Sequence, residues 1–255
     1  MDQQTYNIVT LKWGDRYGPE YANRLHSAVT RHLKLPFKFI CFTDDSSGLD
    51  PEIETHPIPL IDIAEPQLLT GWRKLCLFQP GLPISGPSLF LDLDIIIRGP
   101  LDPFLTFAPD QIPIIHNWVS GLRRLTGRRP EIGNSSIFRF RPNEDTFVYE
   151  QFLSEKDWAL ANFSPPQSYL THCIRPRMTF YPEDWTASFK RHCRPLFPLN
   201  LFVEPKEPDA PVVVFHGRPD PDEALAGFDD GKPRHRTKPA KWITQHWQTT
   251  ESKPD

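Results

Sequence analysis

Short apolar runs alternate with amphipathic stretches along the first hundred residues. Residues 6–11 are apolar and β-branched and predict a first strand. Polar KWGDRYG follows. In residues 19–33, Tyr21, Leu25, Ala28, Val29 and His32 recur at helical spacing, and Pro19 in the first turn is a start signal. Residues 37–42 form a second apolar run, stopped by the turn-forming TDDSSG. Strand, helix and strand in this order make a βαβ unit, the building block of a parallel sheet. Residues 68–78 predict a helix with Trp72, Leu75 and Phe78 on one side and Arg73 and Lys74 on another. Residues 88–97, SLFLDLDIII, predict one strand covered on both faces. Residues 112–115, interrupted by Pro113, predict an edge strand. Residues 136–140 and 212–215 predict further strands, and 144–153 and 168–174 predict helices. Between 175 and 211 a proline- and aromatic-rich loop is expected. From Phe228 onward the chain is polar and basic, without a core pattern until Trp242. The expected organisation is one α/β domain, residues 1–228, with a basic C-terminal extension, residues 229–255.

Composition changes this picture only in places. The 255 residues are ample for a core, and a net charge of -3, from 29 basic and 32 acidic side chains, gives no reason to expect nucleic acid as a partner. The 29 prolines, about twice average usage, predict long shaped loops, where sites are often built. Cys41, Cys76, Cys173 and Cys193 form no CxxC; buried thiols in a reducing cytosol are expected rather than a disulfide framework or a zinc site. The first ten residues lack the basic start and apolar stretch of a signal peptide, and no apolar run approaches the roughly 20 residues of a spanning helix, so a cytoplasmic location is expected. The basic stretch 232–241, with Trp242 and Trp247 nearby, reads either as a contact to anionic lipid at the inner membrane or anionic glycan, or as a solvated end.

The chemistry lies in LFLDLD. Strand residues two apart point the same way, which would aim Asp92 and Asp94 into the crevice beyond the sheet, where open α/β folds bind ligands. Adjacent carboxylates repel, and burial raises the cost, so a cation is expected between them; oxygen ligands favour Mg²⁺ or Mn²⁺, ions that also take phosphate oxygens. A turn is the alternative reading of such a pair. The run 212–215 ends in FHGRPDP, where His216 offers an imidazole, Gly217 a close backbone approach, and Arg218 a planar cation for phosphate. His216 beside Gly and Pro also reads as a turn residue. Trp72, Trp118 and Trp185 read as stacking faces or as core packing, and Glu183 and Asp184 as base or acceptor contacts or as a solvated turn.

The order of strand–helix–strand, LFLDLDIII, NSSIFRF and VVFHGRPDP resembles the GT-A nucleotide-diphospho-sugar glycosyltransferases, most of all glycosyltransferase family 8 and its bacterial relatives, over roughly residues 5–220. The resemblance implies a GT-A (Rossmann-like) fold with a mainly parallel central sheet and transfer of a sugar, from a UDP-sugar, to a glycan or lipid acceptor with retention. It implies Mn²⁺ or Mg²⁺ on the donor diphosphate, held by Asp92, Asp94 and His216. It implies donor contacts from Thr10 and Lys12, from Arg73 or Lys74, from Leu93 inside the D-x-D, from Asn134 and Ser135, and from Gly217 and Arg218. Gln167 matches the second residue of the family's Asp-Gln pair and takes the catalytic position, whereas Pro166 stands where that family has its carboxylate. The longer histidine motif of the family, with Lys-Pro-Trp, is replaced here by Arg218-Pro219. Two other readings stay open: a haloacid-dehalogenase-like phosphatase with Asp92 as nucleophile, and a nucleotide-sugar-binding protein without turnover.

Overall fold

The structure is a computed structural model that describes residues 4–118 and 131–249. The elements run β1 (Tyr6–Lys12), α1 (Pro19–His32), β2 (Phe37–Thr43), β3 (Glu54–Pro57), β4 (Ser88–Leu91), β5 (Ile95–Ile97), α2 (Asp102–Thr106), β6 (Ile112–His116) and β7 (Gly133–Phe140). There follow α3 (Phe147–Asn162), α4 (Gln167–Ile174), β8 (Met178–Phe180), β9 (Thr186–Ser188), β10 (Val212–Val214), α5 (Pro221–Ala226) and α6 (Ile243–His246). Two compact units share the chain. One comprises Met1–Arg16, Leu35–Asp92 and Pro103–Tyr181; the other comprises Tyr17–Lys34, Leu93–Asp102 and Pro182–Asp255.

The first unit is built on a seven-stranded sheet of order β3-β2-β1-β4-β7-β6-β8. The β3–β2, β2–β1, β1–β4 and β6–β8 pairs are parallel, while β7 runs antiparallel to both its neighbours. The mainly parallel α/β class is as expected. The apolar runs become strands because a sheet covered on both faces needs side chains that tolerate burial in either direction; Ile8, Val9, Phe42, Leu89 and Ile137 are all fully buried. Aromatic rings fill the centre of the core, with Phe90 stacked on Phe138 at 4.9 Å between centroids and Phe138 on Phe78 at 5.8 Å. Trp72 packs against Tyr169 and Phe152, which is core packing rather than an exposed stacking face.

The second unit carries a three-stranded sheet, β5-β10-β9, in which β10 is antiparallel to β5 and parallel to β9. Helix α1 covers it through the buried face Tyr21, Ala22, Leu25, Ala28 and Val29, the periodic positions of the sequence. Residues 229–249 also belong to this unit. Trp242 and Trp247, which flank the basic stretch, are buried. The four cysteines are buried and free of disulfides. Among the described residues no helix is long and apolar enough to cross a membrane.

Several expectations need correction. Residues 88–97 are two strands in two sheets, β4 and β5, because the chain leaves one unit at Asp92 and enters the other at Leu93. Residues 67–78 form two 3-10 pieces, Gln67–Leu69 and Gly71–Phe78, parted by Thr70, whose extended backbone and Oγ1 cap the second. Strand β6 is not an edge: it lies between β7 and β8, with Pro113 in register opposite Thr179, and its register against β7 slips between Ile114 and Ile115. Helix α3 starts at Phe147 and reaches Asn162, later and longer than expected. Strands β3, β8 and β9 are too short to carry a pattern against their loop-like surroundings.

Candidate functional site

In the first unit the chain moves from β1 to β2 and β3 on one side, then returns to β4 on the other, so the strand order reverses between β1 and β4. Such a switch point opens a crevice at the carboxyl ends of the strands. Lys12 ends β1, and Asp92 directly follows β4. Asp92 is anchored by its backbone N–H to the Ser136 carbonyl at 2.9 Å. The Lys74 Nζ lies 2.7 Å from Asp92 Oδ1 and 2.8 Å from Oδ2, and also donates to the Ser135 carbonyl at 2.9 Å. Three residues far apart in sequence, Lys74, Asp92 and Ser135, thus meet at one point. A buried ammonium, otherwise costly, is compensated there by a carboxylate and a carbonyl.

The remaining sequence-predicted residues of this unit sit around that point or under it. Asn134 is buried and its Oδ1 accepts from Ser136 N at 2.8 Å, which shapes the start of β7. Lys12 is buried and donates to the Asp45 carbonyl at 3.3 Å, tying the ends of β1 and β2 together. Thr10 is fully buried, and its Oγ1 has no hydrogen-bond partner. Arg73 donates through Nε to the Leu68 carbonyl at 2.8 Å and lies 5.3 Å from the centre of the Trp13 ring. Gln167 opens α4, half-buried, and Pro166 precedes it as the cap residue. Trp118 is half-buried.

In the second unit the antiparallel β5–β10 ladder, with Val214 opposite Ile95, carries Asp94 and His216 to neighbouring strand ends. The Phe215 N–H donates to the Asp94 carbonyl at 3.3 Å, and Leu93 beside it is buried. The Asp94 carboxylate is 9% exposed and lies 3.2 Å from Tyr17 Oη, which is also 3.1 Å from Asp220 Oδ1. His216 Nε2 lies 2.7 Å from Ser188 Oγ, at the end of β9. Burial, reinforced by Lys190 and then Arg191, pushes the imidazole down to about 4. His216 is therefore neutral at pH 7, the form that binds metals, and a hydroxyl holds one ring nitrogen as outer partners do for ligating histidines.

Gly217 has φ +65°, and a Cβ built there would lie 3.1 Å from Lys190 Nζ, so the glycine allows a close approach between backbone and ammonium. Lys190 is on a π-turn, Phe189–Cys193, capped by the Ser188 side chain, which accepts from Arg191 N–H. Arg218 is exposed and engaged: its Nε donates to Glu223 Oε2 at 3.2 Å, its NH2 donates to Glu223 Oε1, and its guanidinium lies over the Phe228 ring. Trp185 is half-buried, and Glu183 and Asp184 are exposed on a 3-10 turn.

Asp94 offers a carboxylate oxygen and His216 a neutral imidazole nitrogen from neighbouring strand ends. Among the described residues no group of three His, Cys, Asp or Glu side chains is placed to hold a metal ion. Sequence reasoning missed Tyr17, Ser188, Lys190 and Asp220. Only Asp220 carried a local signal, the D-x-x-E of a capping box with Glu223 at the start of α5.

No protein-family model matches the sequence, and no curated protein is similar to it. Solved structures are similar in fold. The galactosyltransferase LgtC, in complex with donor and acceptor sugar analogs, superposes with a TM-score of 0.56 at 14% identity, over 96% of this chain and 98% of that one. A second LgtC structure, with a TM-score of 0.57 at 14% identity over 94% of each chain, carries a glutamine-to-glutamate change in its active site. The glycosyltransferase GlyE of Streptococcus pneumoniae TIGR4 gives 0.57 at 12% identity, over 86% of this chain and 56% of that one. The bifunctional glycosyltransferase WbbM gives 0.59 at 13% identity, over 87% and 47%. With its strand order and its β4 end at the switch point, the chain has the GT-A glycosyltransferase fold.

Proposed function

We propose that this protein is a glycosyltransferase that moves a sugar from a nucleotide-diphosphate donor, a UDP-sugar, to a glycan or lipid-linked acceptor, with retention and with a divalent metal. The observation that carries the reading is the exit of β4 at the switch point of a GT-A fold, where Lys74 and the Ser136 carbonyl hold Asp92, together with the β5–β10 ladder that carries Asp94 and His216 to neighbouring strand ends. Asp92, Asp94 and His216 are the residues that would hold the metal. Bound there, it would offset negative charge growing on the departing diphosphate.

The protein's own groups do the rest. Gly217 admits the diphosphate to the backbone, and Lys190, whose Nζ would lie 3.1 Å from a Cβ at that glycine, adds a cation for its oxygens. Arg218 would have to leave Glu223 to serve the same phosphate. Thr10, Lys12, Arg73, Leu93, Asn134 and Ser135 shape the donor side; the first two act from within the sheet rather than by exposed contact. Gln167, at the first turn of α4, is proposed to support the reacting sugar by hydrogen bonding, in the role suggested by the active-site glutamine of LgtC. The position of Pro166 requires that any acidic help to the acceptor come from another residue.

The test is thermal denaturation of the whole protein against a panel of nucleotide-sugars with and without Mn²⁺, followed by donor turnover. A metal-dependent rise in Tm with UDP-sugars is expected, and it should vanish in Asp94→Asn while the ligand-free Tm changes little. A rise that ignores Mn²⁺, or full turnover in excess chelator, would remove the metal from the reading. Trapping of an aspartyl-phosphate on Asp92 would replace it with the phosphatase alternative.

A further inference from the structure

Nine large apolar side chains are strongly exposed among the described residues, and five of them, Leu196, Phe197, Leu199, Phe202 and Val203, fall within eight consecutive positions. Phe202 is 77% and Leu196 74% exposed, so these are not core residues at a rim. Clustering of this kind marks an interaction surface, whereas single exposed apolar residues need no explanation.

The segment has a defined conformation. Leu199–Leu201 is a 3-10 turn, closed by backbone bonds from Asn200 to Leu196 and from Val203 to Leu199. Asn200 is its only fully buried residue, and its Nδ2 donates to the Pro233 and Arg236 carbonyls, both at 2.8 Å. Arg194 donates to the His235 carbonyl at 3.2 Å, and the Arg234 guanidinium lies 6.0 Å from the Phe197 ring centre. These ties fix the apolar tip to the basic loop 232–238, where Lys232, Arg234, Arg236 and Lys238 are all exposed. Two acidic groups offset part of this charge: Asp229 pairs with Arg236 at 3.3 Å and Asp230 with His235 at 2.9 Å. The balance of the loop stays positive.

We infer that this face docks on an anionic lipid bilayer, with Leu196, Phe197, Leu199, Phe202 and Val203 entering the interface and the cations of 232–238 meeting phosphate headgroups. Charge complementarity decides the occupant. Apolar insertion beside several Lys and Arg side chains combines the two terms that hold monotopic proteins to membranes, hydrocarbon burial and attraction to anionic lipid. A rigid loop loses little conformational freedom on binding, since its backbone bonds are already formed. The surface belongs wholly to the second unit and does not depend on the sugar-transfer reading. It keeps the basic stretch expected from the sequence and adds the apolar 196–203 tip, while Trp242 and Trp247 are buried.

The experiment is co-sedimentation of the full chain with phosphatidylcholine vesicles, with and without about one-third phosphatidylglycerol. Binding is expected only to the anionic vesicles, and it should weaken as salt rises. The double variant Leu196→Ser/Phe202→Ser should lower partitioning at least about tenfold. Removing the cations, Lys232→Ala/Arg234→Ala, should lower it roughly fivefold per charge. Unchanged Tm and circular dichroism would show that both variants fold. Failure of the wild type to pellet with anionic vesicles at low salt, or equal pelleting of the serine variant, overturns the inference. So does a dimer in sedimentation velocity that the serine variant dissociates, because the apolar tip would then serve a second copy of the chain. Donor-dependent thermal stabilisation, measured in parallel, reports on the sugar-transfer reading alone.

Discussion

Asp92 and Asp94, separated by one residue, have different partners. Asp92 is held by the Lys74 ammonium, while Asp94 lies against the Tyr17 hydroxyl and its carbonyl accepts from Phe215, the residue before His216. Replacing Lys74 by Met keeps the volume but strips Asp92 and the Ser135 carbonyl of their donor. The expected cost is about 2 kcal/mol, below the range for a fully buried pair because Asp92 retains some exposure, and denaturant unfolding measures it. His216 gives a prediction in pH. Its folded-state value, pushed down to about 4, lies below the unfolded value of about 6.5. Between these limits the unfolded chain binds the extra proton, so this residue's contribution to stability falls as pH drops from about 6.5 towards 4. His216→Asn should therefore lose less Tm between pH 7 and pH 5 than the parent protein; equal losses would count against the argument. The D-x-D and the histidine were legible in the sequence because strand ends and residue types point to them. Lys74 was legible only as one of two basic neighbours, since choosing it over Arg73 required knowing that Arg73 turns to the Leu68 carbonyl and Trp13.

At the scale of elements, α5 is held by its first turn. The Asp220 side chain accepts from the N3 backbone while Glu223 accepts from the Asp220 N–H at 2.9 Å, with Pro221 at the first helical position. Asp220→Ala should cost about 1 kcal/mol and lower Tm by a few degrees. Tyr17→Phe, which removes the hydroxyl but not the cap, should cost less. If the two variants lose equal stability, the contact to Tyr17 outweighs the cap. Long amphipathic α1 was read nearly to its ends because a buried stripe needs apolar side chains every third or fourth residue. The break between β4 and β5 was not readable, because a run of apolar residues looks alike whether one sheet buries it or two do.

At the scale of the molecule, the chain passes between its two units five times, at 16/17, 34/35, 92/93, 102/103 and 181/182. Among the described residues strand β5 pairs only with β10, which lies more than a hundred residues later. A fragment ending at residue 181 would keep every strand of the seven-stranded sheet yet leave Ile95, Ile96 and Ile97 without their ladder. Such a fragment is expected to be insoluble or to lack a cooperative melting transition, tested by calorimetry. A sharp transition with soluble protein would show that the first unit folds by itself.

What the sequence by itself determined are the properties that act within a few neighbouring positions: the apolar strands β1, β2 and β7, the helical stripe of α1, the D-x-D acids and the histidine after an apolar run. Each rests on a residue type or a period that needs no distant partner. Tertiary structure alone decided that 88–97 feeds two sheets, that Lys74 clamps Asp92, that Lys190 lies against Gly217, and that 196–203 is an exposed tip. All four depend on contacts between residues far apart in the chain or on what covers a side chain, and neither is encoded in local pattern.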